Sequence, residues 1–157
     1  MKTIMKSLVL GTLLAVSGLA IAAGVDPVMG TWKLNGAKSK MSADQTFKSQ
    51  TRAYSQTADG ITVSITSVGA DGKESMTKST YKLDGKDYPV TGAPGYDALS
   101  GKQVDANTAE FTLKKGGKAV GTTKRTVSAD GKTLTAVSKA TDAKGAASAS
   151  TLVFDKQ

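Results

Sequence analysis

Four Asp-Gly pairs punctuate the chain: Asp59-Gly60, Asp71-Gly72, Asp84-Gly85 and Asp130-Gly131. Both residue types tolerate positive φ, so the pair suits the tight turn of a β-hairpin. Asp105-Ala106-Asn107, Gly116-Gly117 and Asp142-Ala143-Lys144-Gly145 add three more turn signals. The stretches between these turns are mostly strand-length, and short strands at such regular spacing predict an all-β barrel or sandwich. Ten strands are predicted, at roughly 29–35, 47–56, 61–68, 74–83, 86–91, 96–104, 108–114, 118–128, 132–141 and 147–155. Hairpin turns join most of them, so a single up-and-down antiparallel β-barrel is the simplest topology.

The apolar period within these segments is two. Ile61, Val63 and Ile65 alternate with Thr62, Ser64 and Thr66, and Phe111 and Leu113 alternate with Glu110, Thr112 and Lys114. One face of each strand is thus apolar and the other meets water. Helical periodicity is absent after residue 23. The only room for a helix is around 38–45, where Ser42-Ala43-Asp44-Gln45 either caps a single turn or forms a loop.

A different pattern precedes the strands. Lys2 and Lys6 are followed by an uncharged apolar stretch from Ser7 to Ile21, and then by the small residues Ala20-Ile21-Ala22, with Ala23 next. This predicts a cleavable signal peptide over 1–23 and a mature domain over 24–157, delivered to the bacterial periplasm or beyond. The apolar run is short for a spanning helix, which argues against a membrane anchor. The chain has no cysteine. Lipid attachment through that residue is therefore excluded, and burial and hydrogen bonding must stabilise the domain without disulfides. An outer-membrane barrel would need lipid-facing apolar residues on every strand. Residues 47–56 offer only Phe-Ser-Thr-Ala-Ser or Lys-Gln-Arg-Tyr-Gln on their two faces.

The formal net charge is +8, and Arg52 and Arg125 are the only arginines. The lysines are dispersed and often follow turns, as on a solvated surface. The sharper alternative is attraction to anionic envelope lipid or polysaccharide. No basic run is interleaved with aromatics, so nucleic acid is not an expected partner.

Chemistry is sparse. With no histidine and no cysteine, Ser-His-Asp and Cys-His nucleophilic sites and the usual zinc ligand sets are excluded. Ser75-Met76-Thr77-Lys78 matches a Ser-x-x-Lys pattern that needs a helix, yet it falls in a predicted strand. Asp84 and Asp87 flank a turn, with no ligand loop of sufficient carboxylates around them. No phosphate loop or dinucleotide fingerprint is present. An enzyme, a metal or a cofactor is therefore not expected, and the protein is expected to be a monomer.

The only tryptophan lies in Gly30-Thr31-Trp32-Lys33-Leu34. This stretch resembles the opening strand of lipocalins and intracellular fatty-acid-binding proteins, the calycin superfamily of ligand-binding β-barrels. The hairpin pattern after it and the closing Ser150-Thr151-Leu152-Val153-Phe154-Asp155-Lys156 extend the resemblance over 24–157. Small secreted bacterial lipocalin-like proteins of unassigned activity are the nearest in pattern. The resemblance implies that Trp32 is a structural plug at one end of the barrel, packed against an arginine from a late strand. Arg125, in the predicted eighth strand, is the first candidate partner and Arg52 the second. Two departures stand out. Residues 36–46 are too short for the helix-turn-helix lid of fatty-acid-binding proteins. Leu152 and Phe154 replace the Arg-x-Tyr pair that grips a carboxylate in that family.

Large apolar side chains are few for ten strands, and Ser, Thr, Ala and Gly fill alternate positions at 119–123 and 147–151. Such a lining predicts an open, partly hydrated cavity, or else a flattened barrel with a modest core. The candidate cavity residues are Ile61, Val63, Ile65, Met76, Tyr81, Tyr88, Phe111 and Leu113, with Arg125 as an internal charge. The expected cargo is a small amphipathic or apolar molecule.

Overall fold

The computed structural model describes residues 25–141 and 145–157. The expected signal peptide, its cleavage site and residues 142–144 of the last turn lie outside the described residues. Ten strands follow one another: β1 (Gly30–Leu34), β2 (Phe47–Thr57), β3 (Gly60–Gly69), β4 (Glu74–Tyr81), β5 (Asp84–Thr91), β6 (Ala98–Asp105), β7 (Thr108–Lys115), β8 (Lys118–Val127), β9 (Thr133–Thr141) and β10 (Ala147–Lys156). Each pairs antiparallel with its sequence neighbour, and β1 also pairs with β10. The result is the closed up-and-down barrel that the turn spacing predicts.

Two local expectations shift. The one helix among the described residues is a single 3-10 turn, Gly36–Lys38, capped by Asn35 Oδ1, which accepts from Lys38 N at 3.1 Å. It lies ahead of Ser42–Gln45, which instead closes a turn through Gln45 N donating to Ser42 O at 3.0 Å. The Asp-Gly pairs also work differently from the expected hairpin chemistry. No residue other than glycine has positive φ among the described residues, so the aspartates do not use that region. Within Asp71-Gly72-Lys73, Asp84-Gly85-Lys86 and Asp130-Gly131-Lys132, the aspartate Oδ1 accepts from the lysine backbone N at 3.0 Å. The glycine between takes φ of +81°, +77° and +70°. This is the Asx-turn use of aspartate. Asp84-Gly85 is not a hairpin apex at all. It opens β5, at an irregularity between Asp84 and Asp87.

The registers sort side chains into an inner and an outer wall, because partners across a ladder share a face. One inner row runs Lys156, Trp32, Arg52, Ile65 and Thr77 across β10 to β4. Another runs Leu99, Leu113, Gly121 and Ala140 across β6 to β9. The outer wall is polar: Lys102, Glu110 and Lys124 share one row, and Ser100, Thr112, Thr122 and Lys139 share the next. No helix among the described residues is long and apolar enough to cross a membrane.

The two ends of the barrel differ. The start of the described chain, its C-terminus and the β2–β3, β4–β5, β6–β7 and β8–β9 turns gather at one end, called the floor here. Connections 35–46, 70–73, 92–97 and 116–117 ring the other end, the mouth, where β9 ends and β10 begins. Buried apolar residues concentrate at the floor: Val28, Trp32, Tyr54, Ile61, Tyr81, Phe111, Val127, Leu134 and Phe154. Packing there is tight. A Cβ added to Gly101 would stand 2.8 Å from Phe111 and 2.9 Å from Leu83, so β6 can pass only as glycine.

Candidate functional site

Trp32 is fully buried in the floor, as a plug requires. Its indole Nε1 donates to the Val28 carbonyl at 2.6 Å. Val28 N in turn donates to Asp26 Oδ1 at 2.9 Å, and Met29 N donates to Asp26 O at 3.0 Å. Residues 26–29 thus form a short strap across the floor, pinned by the tryptophan.

Of the two candidate arginines, Arg52 pairs with Trp32 across the β1–β2 ladder, whereas Arg125, the first candidate, is elsewhere. The cation recorded over the indole is Lys156, 5.1 Å from the ring centroid, because β10 places it directly opposite Trp32. Arg125 lies instead over Phe111 and Tyr54, at 5.3 and 5.5 Å. Its Nη1 donates to Tyr81 Oη at 2.8 Å, and its Nη2 pairs with Asp26 Oδ2 at 3.3 Å. It therefore reaches Trp32 only through the chain Asp26–Val28–Trp32. Arg125 is 4% exposed, and its Nε has no hydrogen-bond partner. Burial works against its charge, but Tyr81, Tyr54 and Asp26 outweigh that and keep its pKa raised. Burial likewise pushes the Tyr81 phenol well above its ordinary value.

The expected cavity residues divide. Ile61, Val63, Tyr81 and Phe111 are buried core, with Tyr81 and Phe111 meeting edge to face at 5.4 Å. Ile65 and Leu113 face inward but remain half-exposed. Tyr88 packs its ring on the core while its hydroxyl donates to Asp84 Oδ2 at 2.9 Å at the surface. There β4 and β5 share only the pairs Lys78–Thr91 and Ser79–Val90. Met76 is a correction. It pairs with Thr66 on the outer wall and is 45% exposed, because the inward positions of β4 are Thr77, Ser79 and Tyr81.

Above the floor the inner wall changes character. Arg52, Ile65, Ser67, Thr77, Leu113, Thr123 and Ser138 face inward by register, and all keep partial solvent exposure. Gln50, Ser79 and Ser150, which also face inward, are buried. Two sides of this upper half are polar. Thr123 and Ser138 share a hydrogen bond at 2.9 Å, and Ser150 faces inward beside Ser138. Gln50 Nε2 donates to Ser67 Oγ at 2.9 Å, and Arg52 Nε donates to Gln50 Oε1 at 2.9 Å. Arg52 lies over Phe154, 4.4 Å from the ring centroid. Half-buried Leu34, Phe47, Ala93 and Tyr96 pack on the core among the remaining walls. Burial raises the Tyr96 phenol, against the opposing pull of the Arg52 charge.

Sequence reasoning missed Arg52 as an interior group, although its spacing of two from Tyr54 carries the signal. Tyr96 and the 26–29 strap belong to non-periodic connections and leave none. Two concavities lie away from the barrel interior. One of about 420 Å³ sits at the mouth rim around Gly121, Ala140 and Ser148. The other, about 530 Å³, is on the outer wall between Lys102, Glu110, Lys124 and Lys139. No group of potential metal ligands occurs among the described residues.

This is a closed, ten-stranded, up-and-down antiparallel β-barrel. No family model and no curated protein matches the chain. Among solved structures, it is similar to the crystal structure of zebrafish ileal bile acid-binding protein complexed with cholic acid. The TM-score is 0.51 at 12% sequence identity, over 83% of this chain and 99% of that one. At this identity the likeness is one of fold.

Proposed function

We propose that this protein is an extracytoplasmic, monomeric binding protein, not an enzyme, that holds one small amphipathic molecule in the upper half of its barrel. The observation that carries the reading is the division of the inner wall. The floor is buried and, around the Arg125–Asp26 pair, largely apolar, whereas inward residues from Arg52 to Ser138 keep partial exposure. A barrel stabilised by its floor alone leaves the upper half free to exchange water for a ligand. The similar bile acid-binding protein, solved in complex with cholic acid, supports the choice of an amphipathic cargo. The predicted signal peptide supports the extracytoplasmic setting.

The test is a melting-temperature series with cholate, medium-chain fatty acids and their uncharged analogues. A saturable rise with at least one of them is expected, because a ligand that binds only the folded state stabilises it. No shift across the series at millimolar concentration would count against the reading.

The outer-wall concavity favours a second reading. Lys102, Lys124 and Lys139 rim it beside Glu110, and none of the three lysines has an ion pair among the described residues. Such a groove suits an anionic polysaccharide or lipid surface. Binding of that kind weakens steeply with salt, and binding unchanged at 1 M salt would remove it.

A further inference from the structure

The outer wall carries a groove whose charges do not pair off. Lys102, Glu110 and Lys124 follow one another across β6, β7 and β8, and Ser100, Thr112, Thr122 and Lys139 form the next row toward the mouth. The concavity of about 530 Å³ lies over these two rows and reaches Gly85 of β5. A Cβ on Gly85 would stand 2.9 Å from Lys102 Cε, so glycine lets the lysine stem lie down at that end. The rim concavity shares Thr122 and Lys139 with the first and continues to Ala147 and Ala149 of β10. Together they run from β5 to β10, a furrow of roughly 24 Å at the usual spacing of strands.

The neighbouring acids are engaged, with one exception. Asp84, opposite Lys102 by register, accepts from Lys86 N and from the Tyr88 hydroxyl. Asp87, opposite Ser100, pairs with Lys114 at 2.7 Å. Glu110 is the one acid that lines either concavity, and it has no ion pair among the described residues. It stands between Lys102 and Lys124, which are two strands or roughly 10 Å apart at the backbone.

That carboxylate decides what fits. A small anion placed between the two lysines would meet it, and so would a polymer charged at every link. A flat bilayer does not enter a furrow. A chain whose anionic groups are separated by hydroxyl-bearing links can meet each lysine with a carboxylate. Its hydroxyls then bond to Glu110, Thr112 and Thr122. We infer that the furrow binds an acidic polysaccharide, a chain of sugars with spaced carboxylates, laid across the strands with its charges on Lys102, Lys124 and Lys139. This assignment rests on the surface-binding reading above and names its partner.

The probes are hyaluronan oligosaccharides, whose carboxylates fall on alternate sugars, polyphosphate, and phosphatidylglycerol vesicles. Each is titrated at low salt and pH 7. Wild type is expected to bind the hyaluronan oligosaccharides most tightly of the three. Lys102→Gln, Lys124→Gln and Lys139→Gln combined should weaken that binding roughly tenfold. Lys33→Gln, Lys48→Gln and Lys78→Gln combined remove the same charge from exposed positions of β1, β2 and β4. They should weaken it less than about threefold. Glu110→Gln should strengthen polyphosphate binding more than hyaluronan binding. Amide shifts in wild type give a readout independent of whether the variants fold, and should centre on Ser100, Thr112, Thr122 and Lys139. Equal losses in the two triple variants, or shifts centred elsewhere, overturn the groove assignment and leave the surface reading standing. Tighter binding of polyphosphate or of vesicles than of hyaluronan, or an equal gain for both polymers in Glu110→Gln, overturns the sugar-chain assignment alone. Binding of none of the three probes overturns both.

Discussion

Arg125 and Asp26 form an ion pair within the floor of the barrel, Nη2 to Oδ2 at 3.3 Å, with side chains 5% and 14% exposed. Asp26 belongs to the strap ahead of β1, and Arg125 to β8. The pair therefore ties the start of the described chain to the far wall. Removing one member of a buried pair typically costs ~3–5 kcal/mol, because the other is left uncompensated. Asp26→Asn should lower the urea midpoint by an amount near the low end of that range, given the slight exposure of Asp26. Asp26→Asn combined with Arg125→Met should cost less than the sum of the two single changes. An unchanged midpoint in Asp26→Asn would show that the strap is not held this way.

Trp32 closes the same end, with its indole on Val28 and the Lys156 ammonium over its face. Trp→Ala changes in cores cost ~3–5 kcal/mol, a large share of the ~5–15 kcal/mol of an ordinary domain. Trp32→Ala should therefore depress the melting temperature strongly with or without ligand, and Trp32→Phe less so. If Trp32→Ala melted like wild type and lost only ligand binding, Trp32 would be a ligand contact and not a plug.

The register of β4 makes a paired prediction. Met76 faces outward and Ile61 lies in the floor. Met76→Ala should change stability by no more than ~0.5 kcal/mol, and Ile61→Ala should cost ~2–5 kcal/mol. Comparable losses at both positions would mean that Met76 is inside and the register wrong.

The pH dependence follows from the shifted groups. Asp84 and Asp105 are lowered by the backbone N–H groups of Lys86 and Asn107, and Asp130 by the Ser128 hydroxyl. A lowered carboxyl contributes stability above its unfolded pKa and loses it as pH falls through the folded value. The raised phenols of Tyr81 and Tyr96 act at the other extreme. Their contribution is whole below about pH 10, the ordinary tyrosine value, and is lost as pH rises beyond it. The chain has no histidine. Denaturation midpoints should thus stay level from about pH 5 to 9 and fall on both sides. A transition near pH 6.5 would contradict this assignment.

The barrel was legible because its turns are chemical and local. Asp71-Gly72-Lys73 and Asp130-Gly131-Lys132 each close their own turn, and hairpins between adjacent strands need no long-range information. Alternation in β3 and β7 gave the inward faces of Ile61, Val63, Ile65, Phe111 and Leu113 directly. In β4, which reads Ser-Met-Thr-Lys-Ser-Thr, hydrophobicity alone favoured Met76, and only pairing with β3 turns it outward. Arg125, the first candidate partner of Trp32, lies elsewhere for a related reason. The cation over the indole is set by β1–β10 register at the closure of the barrel, and adjacent-strand patterns do not encode it. Arg52 sat two residues from Tyr54 throughout, but its place opposite Trp32 is visible only once β1 and β2 are paired.

Native mass spectrometry of the protein purified from its own host tests the central claim most directly. The account predicts a fraction carrying one small molecule of fixed mass, lost on denaturation, and amphipathic when released. A bare polypeptide mass, together with a melting temperature indifferent to every added amphiphile, would contradict it.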